Sequence, residues 1–69
     1  MKVWLILDSR AWEDPDKAAV YCAYSEHENE TLEDVKKDRD KEWPDGVIFE
    51  YDAVKRDGKD LIINQRRID

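Results

Sequence analysis

Few residues in this sequence have the types that chemistry requires, and their spacing argues against most of it. Ser25, Glu26, His27 and Glu28 supply a nucleophile, a base and carboxylates in succession. A catalytic triad, however, is defined by geometry across a fold and not by neighbours on one connector, so this stretch reads as a solvated loop. Zinc needs about four Cys or His ligands, and the chain offers only Cys22 and His27. Carboxylates are plentiful, yet no Asp-x-Asp-x-Asp-Gly loop is present and neither Gly46 nor Gly58 has the flanking ligands of a calcium site. Two isolated glycines cannot form a phosphate cradle either. One helix on a small sheet also rarely encloses the ~300–1,000 Å³ typical of a ligand site. The reading is no catalytic residue, no metal and no cofactor.

Charge layout says more than any motif. The chain carries 18 acidic and 12 basic residues, a net charge of −6. All of that excess lies in residues 1–34, with nine acidic against three basic residues, while 35–69 balance nine against nine. Two clusters hold it, Asp8–Asp16 and Glu26–Asp34, both on connectors or at a helix start where side chains project into water. Such a surface keeps a protein soluble; it can also act as a carboxylate array that stands in for phosphates on a basic partner. The array consists of Asp8, Glu13, Asp14, Asp16, Glu26, Glu28 and Glu30, while Lys36, Lys37, Arg39 and Lys41 interrupt it with positive charge. Direct nucleic-acid binding is disfavoured, because it requires Lys and Arg to displace counterions from phosphates. Trp12 sits within the first cluster. Large aromatics are usually well buried, so it is expected to pack back onto the sheet; left exposed, it would be an anchor inside an acidic rim.

The composition bounds the rest. Sixty-nine residues make one small domain spanning 1–69. Charged residues are 43% of the chain, close to the composition of unfolded chains, but three Trp, three Tyr and one Phe can supply much of a core. The longest apolar run, Val3–Leu7, is too short for a membrane helix or an export signal. A lone Cys22 fits a reducing compartment, so a cytoplasmic protein is expected, and the Asn29-Glu30-Thr31 sequon reads as coincidence.

The elements that must position these residues can be read along the chain. Lys2–Leu7 is a strand buried on both faces, and Ala18–Tyr24 a second strand that pairs with it antiparallel. Asp8–Lys17, aperiodic and containing Pro15, is the connecting loop. Thr31-Leu32-Glu33-Asp34 has the reciprocal cap of a helix start, and Pro44 ends that helix near Glu42 or Trp43. Leu32, Val35 and Trp43, with the stems of Lys36 and Arg39, form its thin apolar stripe. Val47–Val54 alternates as a strand with Val47, Phe49, Tyr51 and Ala53 toward the helix. Asp57-Gly58 is the favoured centre of a type I′ turn into a fourth strand at Leu61–Arg66. A two-residue loop places Ala53 beside Ile62, Tyr51 beside Asn64 and Val47 beside Ile68. A slip of one residue brings Leu61 and Ile63 to that face instead, and Leu61-Ile62-Ile63 is apolar on both parities. The fold class is α+β, with order ββαββ: a four-stranded, mostly antiparallel sheet with one helix on one face. Trp4, Ile6, Val20, Cys22, Tyr24, Ile48 and Val54 cannot all be covered by so short a helix, so part of this set is expected to stay open or to meet a second copy in a homodimer. Val3, Leu5, Leu7 and Tyr21 would then serve the inner face, the inward parity being undetermined.

The opening Met1-Lys2-Val3-Trp4-Leu5-Ile6-Leu7, the capped helix from Thr31, Val47-Ile48-Phe49-Glu50-Tyr51-Asp52 and the terminal Asn64-Gln65-Arg66-Arg67-Ile68 together resemble very short acidic ββαββ proteins of bacteriophages and other mobile elements, some of them anti-CRISPR inhibitors. The resemblance implies a protein without catalysis that covers the nucleic-acid groove of a bacterial effector, and it assigns no residue a role by position. Two functions are therefore expected in order: an acidic inhibitor of a basic, nucleic-acid-binding protein, then a homodimeric accessory or assembly protein acting through the open face of its sheet.

Overall fold

The computed structural model describes residues 1–68. Strand β1 (Lys2–Leu7) is apolar at consecutive positions, and only a central strand, packed on both faces, suits such a run. It pairs antiparallel with both β2 (Val20–Ser25) and β3 (Val47–Arg56), and β4 (Lys59–Arg67) pairs with the outer side of β3. The sheet order is β2-β1-β3-β4, all antiparallel, with one α-helix, α1 (Leu32–Glu42). Single 3-10 turns occupy Ser9–Trp12, Pro15–Lys17 and Glu26–Glu28.

Helix α1 starts where its cap residues dictate. Asp34 donates its amide to Thr31 Oγ1 (3.3 Å), and Asp34 Oδ2 accepts from the Thr31 amide (2.9 Å), so two donors without intrahelical partners are satisfied reciprocally. Val35 is fully buried on its inner face, over a cluster of Trp4, Ile6, Tyr24 and Ile48, with Leu32 and Trp43 partly buried beside it. The opposite face of the sheet is roofed by the connector between β1 and β2, whose Ala11 and Ala18 pack with Leu5, Leu7, Val47, Phe49 and Tyr51.

This arrangement reverses the expected orientation of β3. Val47, Phe49 and Tyr51 lie under the connector, and Ile48 is the residue that meets the helix layer. Alternation could not choose between faces because Val47, Ile48 and Phe49 are all buried. The choice is made by the chain leaving α1: a Cβ on Gly46 would lie 2.6 Å from Ile6 Cγ2 and 2.9 Å from the Trp43 carbonyl oxygen. The backbone can cross Ile6 that closely only as glycine, and the crossing fixes the Ile6 side as the helix side. Of the set expected to stay open in part, Trp4, Ile6, Tyr24 and Ile48 are core residues and Val20 is exposed, so the open part lies on the edge strand β2.

Both edge strands carry a bulge. In β2 the register passes from Ile6 opposite Cys22 to Leu7 opposite Val20, leaving Tyr21 as the extra residue. Tyr21 stacks on Trp43, with ring centroids 5.7 Å apart and planes 8° from parallel, and donates its hydroxyl to Asp45 (3.0 Å). In β4 the Asp57-Gly58 turn has both φ values positive (53° and 75°), as a type I′ turn requires, and Ala53 pairs with Ile62. Tyr51 beside Asn64 and Val47 beside Ile68 do not form. Asn64 adopts a left-handed conformation (φ 58°), and beyond it the register is shifted so that Glu50 faces Arg66 and the Ile68 amide donates to Ile48. The shift puts Arg66 on the helix-side face, where it contacts Glu50 (3.0 Å) and Asp52 (2.9 Å). Lys2 Nζ also reaches Asp52 (2.7 Å), and the Trp4 indole donates to Glu50 (3.0 Å).

Replacing Gly46 with alanine should therefore overpack the seam between α1 and the sheet and cost roughly 1–3 kcal/mol. Thermal unfolding followed by far-UV circular dichroism tests this; an unchanged or raised midpoint for Gly46→Ala would contradict the close passage.

Candidate partner-binding surface

The two acidic clusters are placed at opposite ends of β2. One connector enters the strand at Val20 and the other leaves it at Ser25, so they are separated by the strand's length, ~20 Å at 3.3 Å per residue. They do not form a single continuous array.

At the first end, Asp8 is buried and fully engaged. It caps the Ser9–Trp12 turn, accepting the Arg10 amide (2.9 Å) and the Ala19 amide (3.0 Å), and it pairs with Arg10 Nη2 (2.6 Å). Its own amide donates to the Ala19 carbonyl (3.0 Å). The Arg10 guanidinium, with these two amides, holds the Asp8 carboxyl well below the usual carboxylate range. Asp8 therefore closes the connector and does not present charge outward. Asp14 is half-buried and caps the next turn through the Asp16 amide (3.0 Å), which leaves Glu13 and Asp16 as the exposed carboxylates of this end.

Trp12 does not pack back onto the sheet; it is 54% exposed. Ala11 takes the inward position of the turn at 3% exposure, and the next residue of a 3-10 turn points elsewhere. The Arg67 guanidinium lies 4.6 Å from the Trp12 ring centroid, a cation–π contact that joins this connector to the end of β4.

The second end is different. Glu26 and Glu28 lie on an exposed 3-10 turn, Asn29 (φ 61°) reverses the chain, and Glu30 accepts the Ser25 amide (3.2 Å) before the helix cap. Glu33 and Asp34 follow in the first turn of α1, where the helix dipole favours negative charge. Among the described residues, none of Glu26, Glu28, Glu30, Glu33 or Asp34 pairs with a Lys or Arg side chain; Glu26 instead accepts the Lys2 backbone amide. Sequence reasoning stopped its array at Glu30, although Glu33 and Asp34 belong to the same end. Ser25 and His27 form no nucleophile–base pair: Ser25 Oγ accepts the His27 backbone amide (3.0 Å), a local turn contact.

Beside this end lies a groove of about 560 Å³ that is open to solvent and not enclosed by the fold. Met1, Val3 and His27 line one side, and Ala53, Leu61 and Ile62 the other. It exists because the β3–β4 hairpin continues past the start of β1, a consequence of non-local register that no sequence pattern announces. Its walls are mostly apolar, and among the described residues no three His, Cys, Asp or Glu side chains converge as a metal site. No described helix is long and apolar enough to cross a membrane.

The Asp8 clasp has a pH signature. A carboxyl with a depressed folded pKa stabilises the fold above its unfolded pKa, about 3.9, and loses that contribution as pH falls toward the folded value. Asp8→Asn should therefore lower the urea midpoint at pH 7, and its deficit relative to wild type should shrink at pH 3. A deficit equal at both pH values would show that the charge of Asp8 is not what closes the connector.

Comparison with protein-family models, with curated proteins and with solved structures finds no match to this chain, so its functional reading rests on the two acidic ends, the exposed Trp12 and the groove.

Proposed function

We propose that this chain is a small acidic, non-enzymatic binding protein that covers a basic, nucleic-acid-binding surface of a protein partner and thereby inhibits it. The observation that carries the reading is the Glu26–Asp34 end: five carboxylates within nine residues, uninterrupted by Lys or Arg, held by a 3-10 turn and a capped helix start beside an apolar groove. Exposed carboxylates contribute modestly one at a time, but a single-signed cluster raises the on-rate for an oppositely charged partner and excludes acidic competitors. The groove supplies the apolar anchoring that charge alone lacks, giving a buried centre with a charged rim. Glu13 and Asp16, near the exposed Trp12 at the other end of β2, provide a secondary contact ~20 Å away on the same rigid sheet. Asp8 takes no part, being turned inward. This action is the one implied by the resemblance to small inhibitors of phages and mobile elements, and a free Cys22 suits a partner met in a reducing cytoplasm.

For the open-face homodimer, α1 and the Ala11–Ala18 connector cover the two faces of the central strands, which leaves Val20 on β2 as the exposed member of the set named for it. Aspartate at Trp4 or Tyr24 would break the core and would not report on association.

The test is displacement. Proteins of a bacterial lysate bound to DNA-cellulose are washed with the purified chain at about 0.1 M salt, where charge attraction still extends ~10 Å. The chain should release a defined protein, and release should fade as salt rises toward ~1 M, where screening shortens to ~3 Å. A triple variant, Glu26→Lys, Glu28→Lys and Glu33→Lys, should fold but release nothing. No release by wild type, or equal release by the variant, would overturn the proposal.

A further inference from the structure

The hairpin formed by β3 and β4 outruns the rest of the sheet. The last residue of β3 paired with β1 is Asp52, opposite Lys2, and the Ala53 amide still donates to the Met1 carbonyl (2.8 Å). From Val54 to Leu61 and around the turn the hairpin is a two-stranded ribbon with no third strand, and such ribbons are at best marginally stable in water. It nevertheless carries the largest run of exposed apolar side chains in the described chain: Leu61, Ile62 and Ile63, exposed by 38%, 55% and 38%. They lie on β4, an edge of the sheet, whose outer backbone groups have no strand beside them. The usual protections of an edge are Lys, Pro, inward charge or a bulge. None interrupts 61–63, and the bulge at Asn64 comes just after.

The backbone directions follow from the turn. In a two-residue type I′ hairpin Arg56 and Lys59 exchange hydrogen bonds, so the amides of Leu61 and Ile63 face β3, and those of Asp60 and Ile62 face outward. A twofold axis through Ile62 then makes the edge self-complementary. Ile62 meets Ile62 of the second copy with two backbone hydrogen bonds, and Leu61 meets Ile63 on either side. Asp60 and Lys59 then fall opposite the Asn64 bulge, where the regular pairing ends, so no like charges face each other within it. An axis through Leu61 would set Asp60 against Ile62 and Lys59 against Ile63, which matches nothing. The paired segment itself is neutral, with Lys59 and Asp60 as its two charged residues in each copy, and the excess carboxylates belong to residues 1–34.

We infer that two copies of this chain pair antiparallel through the Lys59–Ile63 edges of β4, about a twofold axis at Ile62, to form one eight-stranded sheet with both α1 helices on the same face. The pairing is isologous, so it uses up the apolar edge and closes at two copies. It supplies the ribbon with its missing neighbours and leaves the acidic end of each copy at the outside of the sheet.

Sedimentation velocity of the full chain across micromolar concentrations decides the matter. Wild type should form dimers whose stability changes little with salt, which separates this contact from the salt-sensitive binding proposed above. Ile62→Lys should weaken the dimer by about thirtyfold or more, the effect of losing a central apolar contact. Ile62→Pro removes only an outward N–H, a substitution that edge strands tolerate, and should also yield monomers. Lys37→Ala, at an exposed position of α1, should leave the dimer intact, and near-UV circular dichroism from the buried Trp4 verifies that each variant is folded. A monomeric wild type, dimers that survive both Ile62 substitutions, or a ladder of larger species would each overturn the inference.

Discussion

Strand β1 places large apolar side chains on both faces of the sheet, and a chain with one eleven-residue helix can roof only one of them. Every other feature of the structure adjusts to that constraint. Helix α1 takes the face of Trp4 and Ile6, leaving Leu5 and Leu7 to a connector with no regular helix of its own. A segment of 3-10 turns holds such a position only if its ends are tied and its inward residues are small. Asp8 ties the ends by bonding Arg10 and Ala19, and Ala11 and Ala18 are the small residues that allow close approach. The molecule that results is thin, 15 Å along its shortest axis, with a core one side chain deep on either side of the sheet.

The two edge bulges solve a related problem. A regular strand must alternate its side chains, yet the edges need particular residues on the helix side out of turn. The extra residue at Tyr21 frees an aromatic to stack on Trp43, fastening the C-terminal end of α1 to β2. The extra residue at Asn64 turns Arg66 toward Glu50 and Asp52 and lets Ile68 join the helix-side core. Beyond the reach of α1, an ion-pair cluster of Lys2, Glu50, Asp52 and Arg66 thus substitutes for apolar packing. The Arg66 guanidinium and the Lys2 ammonium hold the Asp52 carboxyl well below its ordinary range, and the Trp4 indole lowers that of Glu50. These acids are occupied, which is why negative charge is available outward only where no cation lies nearby.

How much of this was legible depended on distance along the chain. The extent of β1, the Thr31–Asp34 capping box and the type I′ turn at Asp57-Gly58 were readable because each is specified by residues within a few positions of one another. The face of β3 that meets the helix was not, since Val47, Ile48 and Phe49 are all apolar and the decision belongs to Gly46 crossing Ile6. The Tyr51–Asn64 pairing failed because nothing marks Asn64 as a bulge except its tolerance of a left-handed conformation, which it shares with Asn29. Trp12 was expected inside on grounds of size; Ala11 occupies the only inward position of that turn. The acidic residues were visible as a composition, but whether they gather depends on which ends of β2 carry the connectors, and the strand keeps the two clusters apart.

The buried core, the unpaired carboxylates and the exposed apolar residues therefore occupy different parts of one sheet. The central strands β1 and β3 hold six of the nine buried apolar residues, so substitution there acts first on the fold. The β2 side carries uncompensated charge on turns whose geometry is set by caps and not by packing, so its side chains can change with little cost to the core. The β4 side carries apolar residues that a chain of this size has no third layer to cover. A long-range electrostatic surface and a short-range apolar one differ in their response to salt: screening weakens the first, and the second is nearly indifferent to it. The order β2-β1-β3-β4 sets the acidic turns and the unpaired backbone edge at opposite sides of the sheet, and the groove lined by His27, Leu61 and Ile62 is where the two surfaces meet.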